Sequence, residues 1–228
     1  MKLKSAISAL AVLMLGQAFA ASYTFNNGSG ANASGIMDTQ GRTFRNGTAV
    51  GDAFTGANGG ISAGAGVVAV GVFSTDDLSG VTSSAQLLSL FTNFGDITSP
   101  FASAGPSGAR SVIALSSPQI AITGNASFAN ENMYLFVGNG TTLANSTEFL
   151  IVKSNLTFNP ADDESSTAID IAFRPETSTV LFGSVVGDVK TSNADATTTA
   201  GWQLAVVPEP SAALLGLLGA VGLIRRRR

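Results

Sequence analysis

The chain of 228 residues contains no cysteine and no histidine, and charged residues make up only 12% of it. The absence of cysteine excludes disulfides, zinc–thiolate sites and thiol nucleophiles. The absence of histidine excludes Ser-His-Asp and Cys-His nucleophile pairs and imidazole metal ligands. Because 45% of the residues are hydrophobic, the composition is still that of a chain that folds. We therefore expect a folded protein that is not an enzyme and needs no cofactor.

The N-terminus has the three parts of a secretory signal peptide: a positive start, a short apolar run and a small-residue cleavage site. These parts are Lys2 and Lys4, the run 7–15, and Ala18, Ala20 and Ala21, with cleavage expected between the last two. A buried N-terminal helix is the alternative, which the small residues and the polar sequence after them disfavour. The sequence thus predicts a signal peptide over 1–20, removed by signal peptidase, and an exported mature protein.

The C-terminus, 207–228, combines a proline motif, an apolar run and a basic end. Two prolines flank an acid in Val207, Pro208, Glu209 and Pro210, so this motif cannot continue a helix and should be extended. The 13 residues 212–224 carry no polar side chain. As a helix they would be about 20 Å long, against roughly 30 Å of bilayer hydrocarbon. We expect a short transmembrane helix that anchors the chain transiently.

Four arginines close the chain: Arg225, Arg226, Arg227 and Arg228. Positive residues beside a membrane span stay on the cytoplasmic side, and anionic lipid attracts each by about 1 kcal/mol. They are predicted to act as a cytoplasmic stop signal. The alternative, a buried C-terminal core helix with a solvated basic tail, fits the terminal arginine cluster poorly.

The motif, the apolar run and the arginine cluster occur in the order of the PEP-CTERM sorting signal of Gram-negative bacteria, which residues 207–228 resemble. The resemblance implies recognition by an exosortase, a membrane-embedded enzyme that cuts near the motif. A looser similarity joins residues 132–140 and 148–154 to surface proteins with such tails from Verrucomicrobia-like bacteria, and implies no activity. The implied route is an intermediate tethered to the inner membrane, then the cell surface, outer envelope or extracellular space.

Residues 21–206 are predicted to form one exported domain of mainly β structure, an antiparallel sandwich or jelly-roll-like fold. Short runs rich in β-branched and aromatic residues recur between turn signals, without alternating helices. One run, 67–73, is apolar throughout and suits a strand covered on both faces. The other expected strands are 22–25, 111–115, 133–137, 148–153, 169–173, 180–182 and 202–206.

One segment has helical rather than strand spacing. Ser83 and Gln86 have the spacing of a capping box, and apolar residues recur at 87, 88, 91 and 94. Gly95 is placed to end the helix. We expect a single amphipathic helix from about 84 to 94, packed on the sheet.

Candidate ligand sites in the predicted domain are few. Asp162, Asp163 and Glu164 are the candidate Ca²⁺ ligands, but EF-hand spacing is absent and a solvated acidic loop is the favoured interpretation. Trp202 and Tyr134 could stack on sugars, although a lone tryptophan in a strand is more often part of a core. Neighbouring carboxylates in one loop do not supply the facing pair that a glycosidase needs.

The charge of the predicted domain limits its partners. Residues 21–206 contain six Lys or Arg and fourteen Asp or Glu, a net charge of −8, whereas the whole chain carries −3. Few, scattered basic residues argue against a nucleic-acid partner. We expect a non-enzymatic protein of the cell surface or extracellular matrix, with exopolysaccharide as a candidate partner. The alternative is a secreted carbohydrate- or Ca²⁺-binding module, and a secreted hydrolase comes third.

Overall fold

A computed structural model describes residues 23–27, 34–42, 44, 66–99, 114–116, 128–158, 169–190 and 198–207. This part of the chain is mainly β, with a single short helix, as predicted. The helix is α1, Ser84–Ser89. The strands are β1 Tyr23–Asn26, β2 Ile36–Met37, β3 Val67–Phe73, β4 Phe91–Ser99, β5 Ala114–Ser116, β6 Asn132–Gly138, β7 Glu148–Thr157, β8 Ile169–Ala172, β9 Ser178–Phe182, β10 Ser184–Lys190, β11 Thr198–Gln203 and β12 Ala205–Val206.

The described strands form three sheets. The large sheet has the order β12-β7-β6-β3-β4, and β9 also pairs with β7; all its pairings are antiparallel. The two three-stranded sheets have the orders β5-β1-β8 and β10-β11-β2. Antiparallel pairing is thus confirmed, except that β1 pairs with β8 and β2 with β11 in parallel. Those partners lie far apart in the sequence, so no tight hairpin dictates their direction.

Two apolar clusters cover the two faces of the large sheet. The first cluster draws on all three sheets and includes Tyr23, Phe25, Ile36, Phe44, Val68, Val70, Phe94, Leu135, Leu150, Val152, Ile171, Trp202 and Leu204. The second cluster lies on the other face and comprises Phe73, Leu78, Leu87, Tyr134, Phe136, Phe149, Ile151 and Val207. Successive side chains of a strand point to opposite faces, so both faces of β3 are covered. The prediction for residues 67–73 is confirmed: Val72 is partly buried and the other apolar side chains of β3 are buried.

The predicted helix over 84–94 is wrong in its second half. Ser83 caps α1 by accepting a bond from the Gln86 backbone N–H at 3.3 Å, which is one half of the predicted capping box. The Gln86 side chain accepts from Thr82 instead of from the Ser83 backbone, so the other half does not form. The helix ends at Ser89, however, and Phe91 begins β4, where it pairs with Phe73. Phe94 is buried in the first cluster, whereas Phe91 packs against the second. Residues three apart share a face of a helix but lie on opposite faces of a strand, and pairing with β3 determines the outcome.

A corner connects the large sheet to the sheet of β10, β11 and β2. Strands β9 and β10 are separated by Gly183 alone, and β11 and β12 by Leu204 alone. Ser184 pairs with Gln203, so both strands turn from one sheet into the other side by side. Gly183 has φ +97°, a conformation that residues with a Cβ rarely adopt. A Cβ there would lie 2.6 Å from the carbonyl oxygen of Gln203 and 2.9 Å from Leu150 Cδ1. The corner therefore requires glycine.

The connection between β6 and β7 is held by its own side chains. Asn139 Oδ1 accepts from the backbone N–H groups of Thr147, at 2.9 Å, and Glu148, at 3.2 Å. Thr142 and Asn145 form a reciprocal capping box around a 3₁₀ turn at Leu143–Asn145. The expected strands 133–137 and 148–153 are confirmed as β6 and β7, and the connection between them begins at Gly138, Asn139 and Gly140. These polar side chains therefore hydrogen-bond within the connection and stabilise its conformation.

Candidate functional site

The first residue of the predicted sorting motif belongs to the packed part of the fold. Strand β12 pairs with β7 through Ala205 with Phe149 and Val206 with Glu148. Val206 is 56% exposed, but Val207 is only 3% exposed and joins the second cluster. The motif therefore begins at a residue held against the sheet, and Val207 alone separates β12 from Pro208.

The other predicted processing residues lie outside the described part of the chain. These are Pro208, Glu209, Pro210, Arg225, Arg226, Arg227 and Arg228, together with Ala18, Ala20 and Ala21. Among the described residues, no helix has the length and apolar character needed to cross a bilayer. The predicted transmembrane helix also falls outside the described residues.

A polar cluster joins the segment before α1 to the large sheet. Asp76 accepts a bond from the Tyr134 hydroxyl through one carboxylate oxygen and from Lys153 Nζ through the other, both at 2.5 Å. Tyr134 on β6 and Lys153 on β7 are direct cross-strand partners, and Nζ lies 5.8 Å from the tyrosine ring centroid. Asp76 thereby fixes its loop over the second cluster.

These contacts change the acid–base behaviour of the cluster. The hydrogen bond from Lys153, followed by that from Tyr134, lowers the pKa of Asp76 below its usual value. Burial, and then the bond to Asp76, raises the pKa of Tyr134 far above its usual value. At neutral pH the cluster therefore holds an ionised carboxylate and a neutral phenol. It contains no unpaired nucleophile or base, so we interpret it as a structural clamp.

A polar cleft of about 350 Å³ opens beside this cluster, where β6, β7 and β9 meet. Strand pairing places Lys153 opposite Thr179 and Ser154 opposite Ser178, so part of the cleft floor is paired strand. Its lining also includes Asn132, Asn155 and Glu176. All the lining side chains are polar or charged, and several are exposed.

Three side-chain polar atoms among the described residues are buried without a hydrogen-bond partner: Asn93 Oδ1, Ser178 Oγ and Trp202 Nε1. Trp202 is fully buried in the first cluster, which confirms its predicted place in the core. It is therefore not exposed for stacking on a sugar, and Tyr134 is only 4% exposed. Of these atoms only the Ser178 hydroxyl belongs to a residue that lines the cleft.

The carboxylates of the described residues are dispersed. Within the described ranges, no three His, Cys, Asp or Glu side chains lie close enough together to hold a metal ion. Asp38 is buried and paired with Arg42 at 2.7 Å, and Glu148 accepts two bonds from Thr39 at 2.8 Å each. Both carboxylates thus stabilise the loop 38–42. The candidate Ca²⁺ ligands Asp162, Asp163 and Glu164 lie outside the described residues.

The sequence did not indicate the clamp or the cleft. Asp76 lies 58 residues before Tyr134 and 77 before Lys153, and only the strand pairing brings them together. Glu176 and Asn155 are separated by a stretch that includes residues outside the described part. A polar residue at an inward position of a mostly apolar strand, such as Lys153 after Ile151, is the one available signal.

Comparison of the chain with protein-family models, with curated proteins and with solved structures gives no match.

Proposed function

We propose that this protein is an exported, non-enzymatic component of the cell surface or extracellular matrix, sorted through its C-terminal signal. The observation that carries the proposal is the sequence order after β12: Pro208, Glu209 and Pro210, 13 residues without a polar side chain, and four arginines. A membrane-embedded exosortase would recognise this signal and cut near it. Signal peptidase would act at the other end.

The position of Val207 limits where such an enzyme could cut without disturbing the fold. A processing enzyme binds its substrate as an extended segment, and Val207 is packed in the second cluster. A cut at or beyond Pro208 would therefore leave both β12 and the packed Val207 side chain in the mature protein. A cut before Val207 would remove a side chain that is only 3% exposed.

We further propose that the exported domain is a β-sandwich. The first cluster is built from one face of the large sheet and from β1, β2, β8 and β11 of the smaller sheets. This is the packing expected when two layers of strands share one core. The corner at Gly183, where neighbouring strands pass from one sheet to another, fits the same arrangement.

Mass spectrometry of the mature C-terminus tests the sorting proposal. In a host with an exosortase, the mature chain should begin at Ala21 and end at or after Pro208 but before Arg225. In a host without one, the uncut chain should remain in the membrane fraction. A mature chain that still ends in Arg228 in the first host would refute the proposal.

Variants locate the signal. Replacing Pro208, Glu209 and Pro210 with alanine should give an uncut, membrane-retained form. Val206→Ala is the matched control, because Val206 adjoins the motif but is 56% exposed. The Val206→Ala variant should be processed normally. If this control also loses processing, the enzyme does not recognise the Pro-Glu-Pro motif specifically.

A further inference from the structure

The polar cleft between β6, β7 and β9 has the size and rigidity of a small-molecule site. Its volume of about 350 Å³ falls at the lower end of the roughly 300–1,000 Å³ found for ligand pockets. Its floor is held by cross-strand pairs, among them Ser154 with Ser178. One wall is the turn between β8 and β9, closed by a bond from the Thr177 N–H to the Arg174 carbonyl at 3.1 Å. The cleft is thus preformed.

The lining selects a ligand with many hydroxyl groups. Asn155 offers an amide with two donors and an acceptor, Glu176 offers acceptors, and the hydroxyls of Thr177 and Thr179 can donate or accept. The Asn132 side chain also lines the cleft, but it already bonds to the Tyr134 hydroxyl. No aromatic or aliphatic side chain lines the cleft, so an apolar ligand would gain little from burial there. A lining that supplies both donors and acceptors suits the hydroxyl groups of a sugar ring.

The charges of the cleft select a neutral ligand. Lys153 and Glu176 contribute one charge of each sign, and Lys153 is already paired with Asp76. A carboxylate or phosphate ligand would therefore meet no free cation from this lining and would face Glu176, which is exposed. A polyol or a neutral sugar meets no such repulsion.

We propose that this cleft binds a neutral sugar unit, presented as part of a polysaccharide chain. The site is separate from the C-terminal signal: it lies at the Lys153 end of β7, whereas β12 and Val207 adjoin the Glu148 end. The proposal therefore does not depend on sorting. Because the lining offers no aromatic ring for stacking, we expect the cleft to bind its sugar weakly.

Affinity electrophoresis of the full exported chain tests this proposal. Native gels contain dextran, mannan or galactan as neutral polysaccharides, alginate as an acidic one, or no polysaccharide. At least one neutral polysaccharide should retard the wild-type protein, and alginate should not. Retardation by alginate alone, or by none of the neutral polysaccharides, would overturn the proposal.

Two exposed lining residues provide variants that should fold, Glu176→Gln and Asn155→Ala. Each should raise the dissociation constant for the retarding polysaccharide at least ten-fold, with an unchanged melting temperature. Gln40→Ala is the control, because Gln40 is exposed in the loop that contacts the opposite end of β7 at Glu148. If both cleft variants bind like wild type, or if Gln40→Ala is impaired equally, the cleft is not the site.

Discussion

The clamp formed by Asp76, Tyr134 and Lys153 predicts a measurable coupling between the loop before α1 and the large sheet. Tyr134→Phe keeps the buried ring and removes only the hydroxyl that donates to Asp76 at 2.5 Å. Hydrogen bonds to charged groups contribute about 1.5–3 kcal/mol. The Asp76 side chain is 50% exposed, so water replaces part of the lost bond and we expect about 1 kcal/mol. For a domain of this size that lowers the melting temperature by roughly 2–4 °C.

A double-mutant cycle separates this bond from the rest. Asp76→Ala, Tyr134→Phe and the double variant should give a coupling free energy of about 1 kcal/mol by urea unfolding at pH 7. Asp77→Ala is the control, because the Asp77 carboxylate accepts from Ser79 within its own turn. It should show no coupling with Tyr134→Phe.

The coupling should depend on pH in a defined direction. The pKa of Asp76 is lowered in the folded state, so its stabilisation is complete above the unfolded value of about 3.9 and is lost as pH falls through the folded value. The stability difference between wild type and Asp76→Ala should therefore shrink between pH 6 and pH 2. The pKa of Tyr134 is raised, so its contribution is complete below about pH 10 and is lost above it. A coupling below about 0.3 kcal/mol, or a difference that is the same at pH 6 and pH 2, would refute this account of the clamp.

Two further predictions concern the corner and the core. Gly183→Ala should destabilise the domain by at least about 1 kcal/mol, because the new side chain combines a positive φ with overlap at Gln203. A Cβ at Gly187, in the strand that follows, meets no atom within 4 Å, so Gly187→Ala is the control. Equal melting temperatures for these two variants would contradict the role given to the corner. Trp202 is fully buried, so Trp202→Ala should lower the free energy of unfolding by about 3–5 kcal/mol. Val185 is the cross-strand partner of Trp202 and is 53% exposed, so Val185→Ala should lower the free energy of unfolding by less than about 0.5 kcal/mol. Similar urea unfolding midpoints for Trp202→Ala and Val185→Ala would argue against the first cluster as the core.

The sequence predicted the elements whose bounds depend on neighbouring residues. The valine run of β3 gave the strand its bounds, and the spacing of Ser83 and Gln86 gave α1 its start. Phe91 and Phe94 have helical spacing, but both faces of β4 are covered, so apolar residues three apart can both be buried in a strand. Only the pairing of β4 with β3 distinguishes the two structures. Strand β10 was missed because Gly187 and Asp188 interrupt its valines.

The candidate sites could be predicted only in part, for a similar reason. The sorting signal is a continuous segment, so its order can be read directly, but the burial of Val207 depends on β7, more than fifty residues earlier. The clamp and the cleft combine residues from separate strands, and their assembly depends on sheet register. The parallel pairing of β1 with β8 could not be predicted either, because no short turn connects the two strands.

Two strands share one edge of β7, and this arrangement affects the chain while it is being synthesised. Strand β6 occupies one edge of β7, while β9 covers Ile151–Ser154 and β12 covers Glu148 and Phe149 on the other. Because chains are synthesised from the N-terminus, β12 is the last of the described strands to emerge. Until it does, two residues of β7 present unpaired backbone groups, and open strand edges promote aggregation. A product truncated before Ala205 would keep this gap permanently, so the segment that precedes the sorting motif also protects the sheet from pairing with other chains.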